Sequence, residues 1–306
     1  MGFLAGRADL HTHTNASDGS QTPSEVVRAA ADLGLSAVAI TDHDTVAGLE
    51  EALEQGRKSG VVVVPGVEIN TEQGGHEIHI LGYYVDRHAP ELAAKLQWLR
   101  GGRERRAARI VARLREIGVT ISLDHVMELA AGAAVGRPHV ARALAEAGWV
   151  RNMAEAFDQF IGLGAPAYVP REWLSPTEAA DVILAAGGAP VLAHPGTAGD
   201  AGDLIPRLLE HGLVGIEVFY PEHGEEAERL FRRIAEENGL IMTGGSDSHG
   251  SGFAFRSGLG QRTCPFETVT LLEAAARKGR VTRAARAARA AGGAGAAGGA
   301  TRDDRP

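Results

Sequence analysis

Short apolar runs alternate with amphipathic helical stretches in two long tracts of the chain, residues 7–89 and 175–278. No other feature constrains the fold as tightly. A repeated strand-helix order implies parallel strands joined by right-handed crossovers. Ser36-Ala37-Val38-Ala39-Ile40 is nearly continuous in apolar residues, as a strand covered on both faces should be. Residues 61–64, 189–193, 214–219 and 240–243 read the same way, and residues 7–13 form the first strand. Two capping boxes open helices. Thr22-Pro23-Ser24-Glu25 precedes the stripe Val26, Val27, Ala30 and Leu33, and Ser175-Pro176-Thr177-Glu178 opens the second tract. Further helices are expected over 46–58, 203–210 and 222–237, with a last strand and helix within 258–278. Residues 76–85 read as another strand, in which His79 faces away from Ile78 and Ile80.

The alternation stops over residues 90–170. There the chain reads as helices only, over 103–117, 122–131, 138–147 and 152–161. The chain therefore divides into a first β/α part (1–89), a helical insertion (90–170), a second β/α part (171–283) and a tail (284–306). The tail is low-complexity Ala, Gly and Arg without apolar periodicity, and it is expected to be disordered.

The strand ends share a chemistry. In an α/β fold of parallel strands, the residues just past the carboxyl ends gather on one rim. Those positions hold His11 and His13, Asp42 and His43, Glu68, His79, His194, and Asp247 and His249. His11 and His13 are two apart, so in extended chain they share a face and can reach one ion. Asp18 follows in an Asp-Gly turn. This set has no thiolate, and His with Asp or Glu suits zinc, manganese or iron. About nine ligands are too many for one ion. They suit a cluster of two or three divalent ions with bridging carboxylates, which activates water and clamps the oxygens of a phosphoryl group in displacement. Asp42 and Asp44 flank His43 and can orient it. Glu217, inside a strand, either supports the site or pairs with a neighbouring cation.

The motifs Asp9-Leu10-His11-Thr12-His13, Asp18-Gly19, Thr41-Asp42-His43-Asp44, Pro65-Gly66-Val67-Glu68, Ala193-His194-Pro195 and Gly245-Ser246-Asp247-Ser248-His249 resemble those of the PHP (polymerase and histidinol phosphatase) family. The resemblance covers residues 7–280. It implies a distorted (βα)7 barrel and phosphoesterase activity at a trinuclear site, with a metal-bound hydroxide attacking phosphorus. By the same resemblance His11, His13, Glu68 and Asp247 hold one metal, and Glu68, His79 and His194 a second, with Glu68 bridging. Asp18, His43 and His249 hold the third. Manganese is the foremost candidate, and zinc or iron also suits the set.

Gly136-Arg137-Pro138-His139 and the helical insertion resemble the branch acting on nucleoside 3′,5′-bisphosphates and on 5′ ends of short RNA. Pro138 at a helix start would set free N–H groups beside Arg137 and His139, which makes an anion site. The expected substrate is thus a nucleotide or a short oligoribonucleotide. Two other readings remain: a phosphatase of the histidinol-phosphate type, and a non-catalytic metal-binding scaffold of a polymerase assembly. The arginines at 103, 105, 106, 109, 113 and 115 either guide a polyanion or form a solvated helix face.

Composition excludes other classes. No apolar run approaches the roughly 20 residues of a membrane span, and no signal-peptide pattern opens the chain. One cysteine, Cys264, allows no internal disulfide and fits a cytoplasmic protein. A net charge of −8 argues against stable duplex DNA binding, although bound divalent ions would reverse the sign locally.

Overall fold

A computed structural model of the chain describes residues 6–130, 135–197, 204–250 and 258–295, with side chains as far as residue 282. It forms two compact units. One comprises the chain up to Ala93 and from Leu174 onward; the other is Ala94–Trp173.

In chain order the elements are β1 (Arg7–Asp9), α1 (Pro23–Asp32), β2 (Ala37–Ile40), α2 (Leu49–Ser59), β3 (Val62–Gln73), β4 (His76–Tyr83) and α3 (Pro90–Glu116). Then come α4 (Leu123–Ala130), α5 (Arg137–Glu146), α6 (Met153–Ala156) with a π-helical turn (Phe157–Ile161), α7 (Pro176–Ala185) and β5 (Ala189–Leu192). The series ends with α8 (Leu204–Glu210), β6 (Gly215–Phe219), α9 (Glu225–Asn238), β7 (Ile241–Gly244), β8 (Cys264–Pro265) and α10 (Glu267–Gly295).

The strands of the first unit make one eight-stranded sheet in the order β7-β6-β5-β4-β3-β2-β1-β8. β1, β2 and β3 are parallel, and so are β5, β6 and β7. β4 opposes both β3 and β5, and β8 opposes β1. The sheet nearly closes into the expected α/β barrel, because the chain after β1 bonds to the end of β7 and to the chain that follows it. Leu10 N–H donates to Gly244 O at 3.1 Å and His13 N–H to Ser248 O at 2.9 Å. Gly245 makes that approach feasible, since a Cβ there would lie 2.3 Å from the His11 nitrogen.

Both faces of the strands are covered, which is why they read as apolar runs. In β2, Ala37 and Ala39 pack inward with Ala8, Leu81, Tyr83 and Val191. Val38 and Ile40 pack outward under Val26, Val27 and Ala30 of α1 and Leu49 and Ala52 of α2. Each large aliphatic side chain fully buried this way stabilises by about 1.5–3 kcal/mol. Thr22 and Ser175 cap α1 and α7 as predicted, each bonding the backbone N–H three residues on while Glu25 or Glu178 bonds back.

Two expectations need correction. The alternation predicted parallel strands throughout, yet β3 and β4 form a long antiparallel hairpin. Gly74 and Gly75 have φ of +63° and +89°, the mark of a two-residue turn that matches strand twist. The tail was expected to lack structure from residue 284, but α10 continues to Gly295. Alanine is the strongest helix former, and its density there offsets the glycines. Residues 296–306 lie outside the described residues.

The second unit contains most of α3, then α4, α5, α6 and the π-helical turn. It has its own core of Ile110, Leu114, Val126, Val140, Leu144 and Ile161. Arg105 and Arg109 of α3 pair with Glu172 at 3.1 and 2.6 Å, and Arg106 Nε donates to Val169 O at 2.8 Å. Much of the arginine-rich face therefore clamps the returning chain rather than facing solvent alone.

Candidate metal centre

Glu68 is the hub of the first unit. It lies within β3, its backbone bridged to His43 just past β2. Its Oε2 sits 3.2 Å from His11 Nε2, 3.2 Å from His13 Nε2 and 3.1 Å from His43 Nδ1. Its Oε1 sits 2.8 Å from His79 Nδ1 and 3.1 Å from His194 Nε2. His79 arrives from the opposing strand. Its carbonyl accepts Ala193 N–H at 3.1 Å, which sets the middle of β4 level with the end of β5. A second carboxylate, Asp247, places Oδ1 3.1 Å from His13 Nε2 and 3.5 Å from His11 Nε2. Asp18 Oδ1 lies 3.2 Å from His249 Nε2.

All nine expected ligand residues converge. They form four overlapping groups whose donor atoms lie within 4.8 Å of one another: His13, Asp18, His43 and His249; His11, Glu68 and His194; His11, His13 and Asp247; His43, Glu68 and His79. The backbone is strained to achieve this. Asp44, His194 and Asp247 have φ of 52°, 22° and 52°, a region costing about 1–3 kcal/mol per residue unless the surroundings impose it. Here they do: His194 N–H donates to Glu217 Oε2 at 2.8 Å, Asp247 N–H to His11 O at 2.8 Å and Asp44 N–H to Glu68 O at 2.9 Å.

The hydrogen-bond pattern tests whether these residues fit a metal. His11 Nδ1 lies 3.1 Å from Glu217, a pure acceptor when ionised, so Nδ1 carries the hydrogen. Thr197 Oγ1 donates to His194 O at 2.9 Å and so accepts from His194 Nδ1 at 2.8 Å. In the neutral rings, both Nε2 lone pairs then face Glu68. A lone pair against a carboxylate is repulsive unless a proton or a cation lies between. Five buried atoms, His11 Nε2, His13 Nδ1, His13 Nε2, His43 Nδ1 and Glu68 Oε2, have no hydrogen-bond partner. Several are near enough to bond one another but misaligned, as donors aimed at shared points between them would be. The set fits divalent cations.

Charge on these groups follows. Burial opposes charge on His13, yet the carboxylates of Asp247 and Glu68 beside its Nε2 hold its pKa up at about 9. Burial likewise opposes charge on His79, and Glu68 holds it up at about 10. Burial takes His43 down to about 3, despite the pull of Glu68. Against the desolvation that would raise it, Glu68 is kept well below the usual carboxylate range by His43, His11 and His79.

Three supporting residues escaped the sequence reading or were left open by it. Glu217 is fully buried and fixes both the His11 ring and the His194 backbone. A carboxylate inside the apolar run of β6 was the available signal. Asp9 accepts from Ser246 N–H at 2.9 Å, Ser246 Oγ at 2.6 Å and Gly260 N–H at 2.8 Å, tying β1 to the chain after β7. Tyr220 O–H donates to Asp247 Oδ2 at 3.0 Å, and nothing in its local sequence announces that. Asp42 accepts from Thr14 N–H at 2.7 Å, Thr14 Oγ1 at 2.8 Å and Ser17 Oγ at 2.6 Å, so it shapes the turn leading to Asp18. Asp44 accepts from Asn70 N–H and Nδ2 at 3.1 and 2.8 Å.

Arg137 and His139 belong to the helical unit. His139 Nδ1 accepts Gly136 N–H at 3.0 Å and so caps α5. Arg137 lies over the rings of Phe157 and Tyr168, 5.4 and 5.8 Å from their centroids.

The PHP domain model matches residues 9–241, most of the chain. The chain belongs to the PHP domain family. It is 36% identical over 249 residues to a 3′,5′-nucleoside bisphosphate phosphatase of Chromobacterium violaceum, covering 80% of this chain and 87% of that one. It is 37% identical over 247 residues to the 5′-3′ exoribonuclease Rnm of Escherichia coli, covering 79% and 84%. With a phosphoribosyl 1,2-cyclic phosphate 1,2-diphosphodiesterase of Eggerthella lenta it shares 35% over 246 residues, covering 79% and 94%. A protein of known structure assigned as a metal-dependent phosphoesterase, from Bifidobacterium adolescentis, superposes with a TM-score of 0.67 at 32% identity, covering 88% of this chain and 96% of that one. No helix among the described residues is long and apolar enough to cross a membrane.

Proposed function

We propose that this PHP-family enzyme, a metal-dependent phosphoesterase, hydrolyses phosphate esters of nucleotides. The substrates are 3′,5′-nucleoside bisphosphates or the 5′ ends of short oligoribonucleotides, met in the cytoplasm. The observation that carries the reading is the convergence of five histidines on one buried carboxylate, Glu68, with unpartnered donor atoms aimed between them. Two or three divalent ions, manganese foremost, would be held by His11, His13, Asp18, His43, Glu68, His79, His194, Asp247 and His249. Bound there, such ions supply Lewis acidity at phosphorus and a water acidic enough to react near neutral pH.

The chain's own residues do the positioning. Glu68 sets five imidazoles around one point. Glu217 holds the His11 ring with Nε2 inward, the arrangement that raises ligand basicity and fixes ring orientation. Asp9 and Asp42 hold the two loops that carry Asp247 and Asp18. Arg137 binds a phosphate of the substrate that is not cleaved. His139 supports that role indirectly, by capping the helix on which Arg137 sits.

Relatives at similar identity cleave monoesters and diesters, so the test compares both. Manganese-loaded protein should release phosphate from adenosine 3′,5′-bisphosphate, or nucleotides from a 5′-phosphorylated oligoribonucleotide, far faster than phosphate from histidinol phosphate. Preference for histidinol phosphate, or no turnover on any of the three, would overturn the reading.

A further inference from the structure

Of β1–β7, only β6 neither contains nor leads into one of the nine candidate ligands, although it runs between β5, which leads to His194, and β7, which leads to Asp247. The residues after it, Tyr220-Pro221-Glu222-His223, form a tight turn in which Tyr220 O accepts His223 N–H at 3.1 Å. Proline suits the second position of such a turn. The turn sends a side chain toward each neighbouring strand end. Tyr220 reaches Asp247, and His223 reaches back toward the chain after β5. The His223 ring is 2% exposed and packs against the rings of Tyr220 and Phe231, with centroids 5.3 and 4.9 Å away. Both of its nitrogens are used. Nδ1 lies 2.9 Å from Val218 O, which can only accept, so Nδ1 carries the hydrogen. Nε2 keeps a lone pair and accepts Gly196 N–H at 3.2 Å.

Gly196 matters because of what precedes it. His194 has a φ of 22°, and such a residue relaxes unless its surroundings hold the backbone. On one side Glu217 accepts His194 N–H at 2.8 Å. On the other, Pro195 has no N–H, so Gly196 carries the first backbone donor after the ligand. The approach of His223 is close: a Cβ on Gly196 would lie 2.8 Å from His223 Cδ2. Arg262 steadies His223 in turn, donating through Nη2 to His223 O at 3.3 Å while its Nη1 pairs with Glu228 at 2.9 Å. An apolar ring would fill the same space but would leave Val218 O and Gly196 N–H without this partner. We propose that His223 is a positioning residue of the metal centre: it fixes the turn after His194 and so aims the His194 ring at the ion it shares with Glu68. The inference rests on the reading that the cluster holds divalent ions, and it adds a residue outside the ligand set on which one of those ions depends.

The test loads the full chain with Mn²⁺ by equilibrium dialysis and counts bound ions by elemental analysis, for the wild type and for His223→Phe, His223→Gln and His223→Asn. Phenylalanine keeps a ring against Tyr220 and Phe231 but has no acceptor. Glutamine sets its oxygen near the Nε2 position, whereas asparagine sets its own near Nδ1, out of reach of Gly196. His223→Phe and His223→Asn should lose about tenfold or more in affinity for one ion, as when a group supporting a metal ligand is removed, with the other ions bound as before. His223→Gln should restore the loss. His194→Ala/His223→Phe should bind no less metal than His194→Ala alone, because both changes act through one ligand. Melting curves without metal establish folding, and the glutamine–asparagine pair carries the comparison if His223→Phe does not fold. In metal-free wild type at pH 7.5, the imidazole ¹⁵N spectrum should show His223 neutral, with its hydrogen on Nδ1. Hydrogen on Nε2, equal weakening of every ion, glutamine behaving like asparagine, or a further loss on top of His194→Ala would each overturn the inference. Normal loading of the wild type with the same loading in His223→Phe would sink this inference alone. Wild-type protein that binds no Mn²⁺ would sink the proposed function and this inference with it.

Discussion

The histidine cluster of the barrel unit and the arginine cavity of the helical unit are opposites in charge. In the first, lone pairs and carboxylates crowd a buried point, and the deficit is of positive charge. In the second, Arg103, Arg106, Arg137 and Arg171 line a cavity whose described lining holds no carboxylate. The first is an electrostatic arrangement that its own unit leaves unbalanced. What separates them is rigidity. The cluster is imposed by backbone pairing, with strained residues locked by hydrogen bonds. The cavity depends on long side chains held over rings. Changes in the cluster should therefore alter chemistry and metal content, and changes in the cavity should alter substrate affinity.

The strongest test of that division is Glu68→Gln. With five histidines around it, its loss should lower kcat by about 10³-fold or more on every substrate and reduce bound metal. A variant with normal kcat would break the comparison. Glu217→Gln comes next. It leaves the nine candidate ligands in place but loosens the His11 ring, and should weaken manganese affinity about 10–100-fold, read by metal titration. Arg137→Ala should raise KM for adenosine 3′,5′-bisphosphate by about 10–100-fold, from a charge-assisted bond of about 1.5–3 kcal/mol, while kcat changes little. Equal loss on p-nitrophenyl phosphate, with metal intact, would place Arg137 in the chemical site and erase the distinction.

A pH experiment sharpens it further. Without metal, His13 and His79 keep their protons up to about 9 and about 10, whereas a ligand imidazole must be neutral. Metal uptake at pH 7.5 should expel protons, and apparent affinity should climb as pH rises toward 9. Calorimetry in two buffers of different ionisation heat measures the release. Binding without proton release would show that the rings are already neutral. The smallest effect is expected from truncation after Thr282. Val281 is already 65% exposed, so the melting temperature should move by no more than about 2 °C.

The two regions also differ in how far the sequence discloses them. The cluster is legible because parallel strands put ligand types at predictable ends: His11-Thr12-His13 and His194 announce themselves by position. His79 was anticipated for the wrong reason. It sits mid-strand on an antiparallel β4, and Gly74-Gly75 was the turn signal that would have corrected the direction. Glu217 could be seen as odd in its apolar run, but its partner His11 lies 206 residues away, beyond any local pattern. The arginine cavity is less legible still. Arg103 and Arg106 share a helix turn, but Arg137 and Arg171 join them only through tertiary packing. A run of arginines on one helix reads equally well as a solvated face.

The central claim is that the cluster holds catalytic divalent ions, and one measurement addresses it directly. The protein is stripped by chelation, titrated with Mn²⁺, and assayed at each step for bound metal per chain and for phosphate released from adenosine 3′,5′-bisphosphate. The account predicts no turnover in the stripped protein and activity that rises with occupancy, saturating at two or three ions per chain. Full turnover in protein shown by elemental analysis to hold no metal would contradict it.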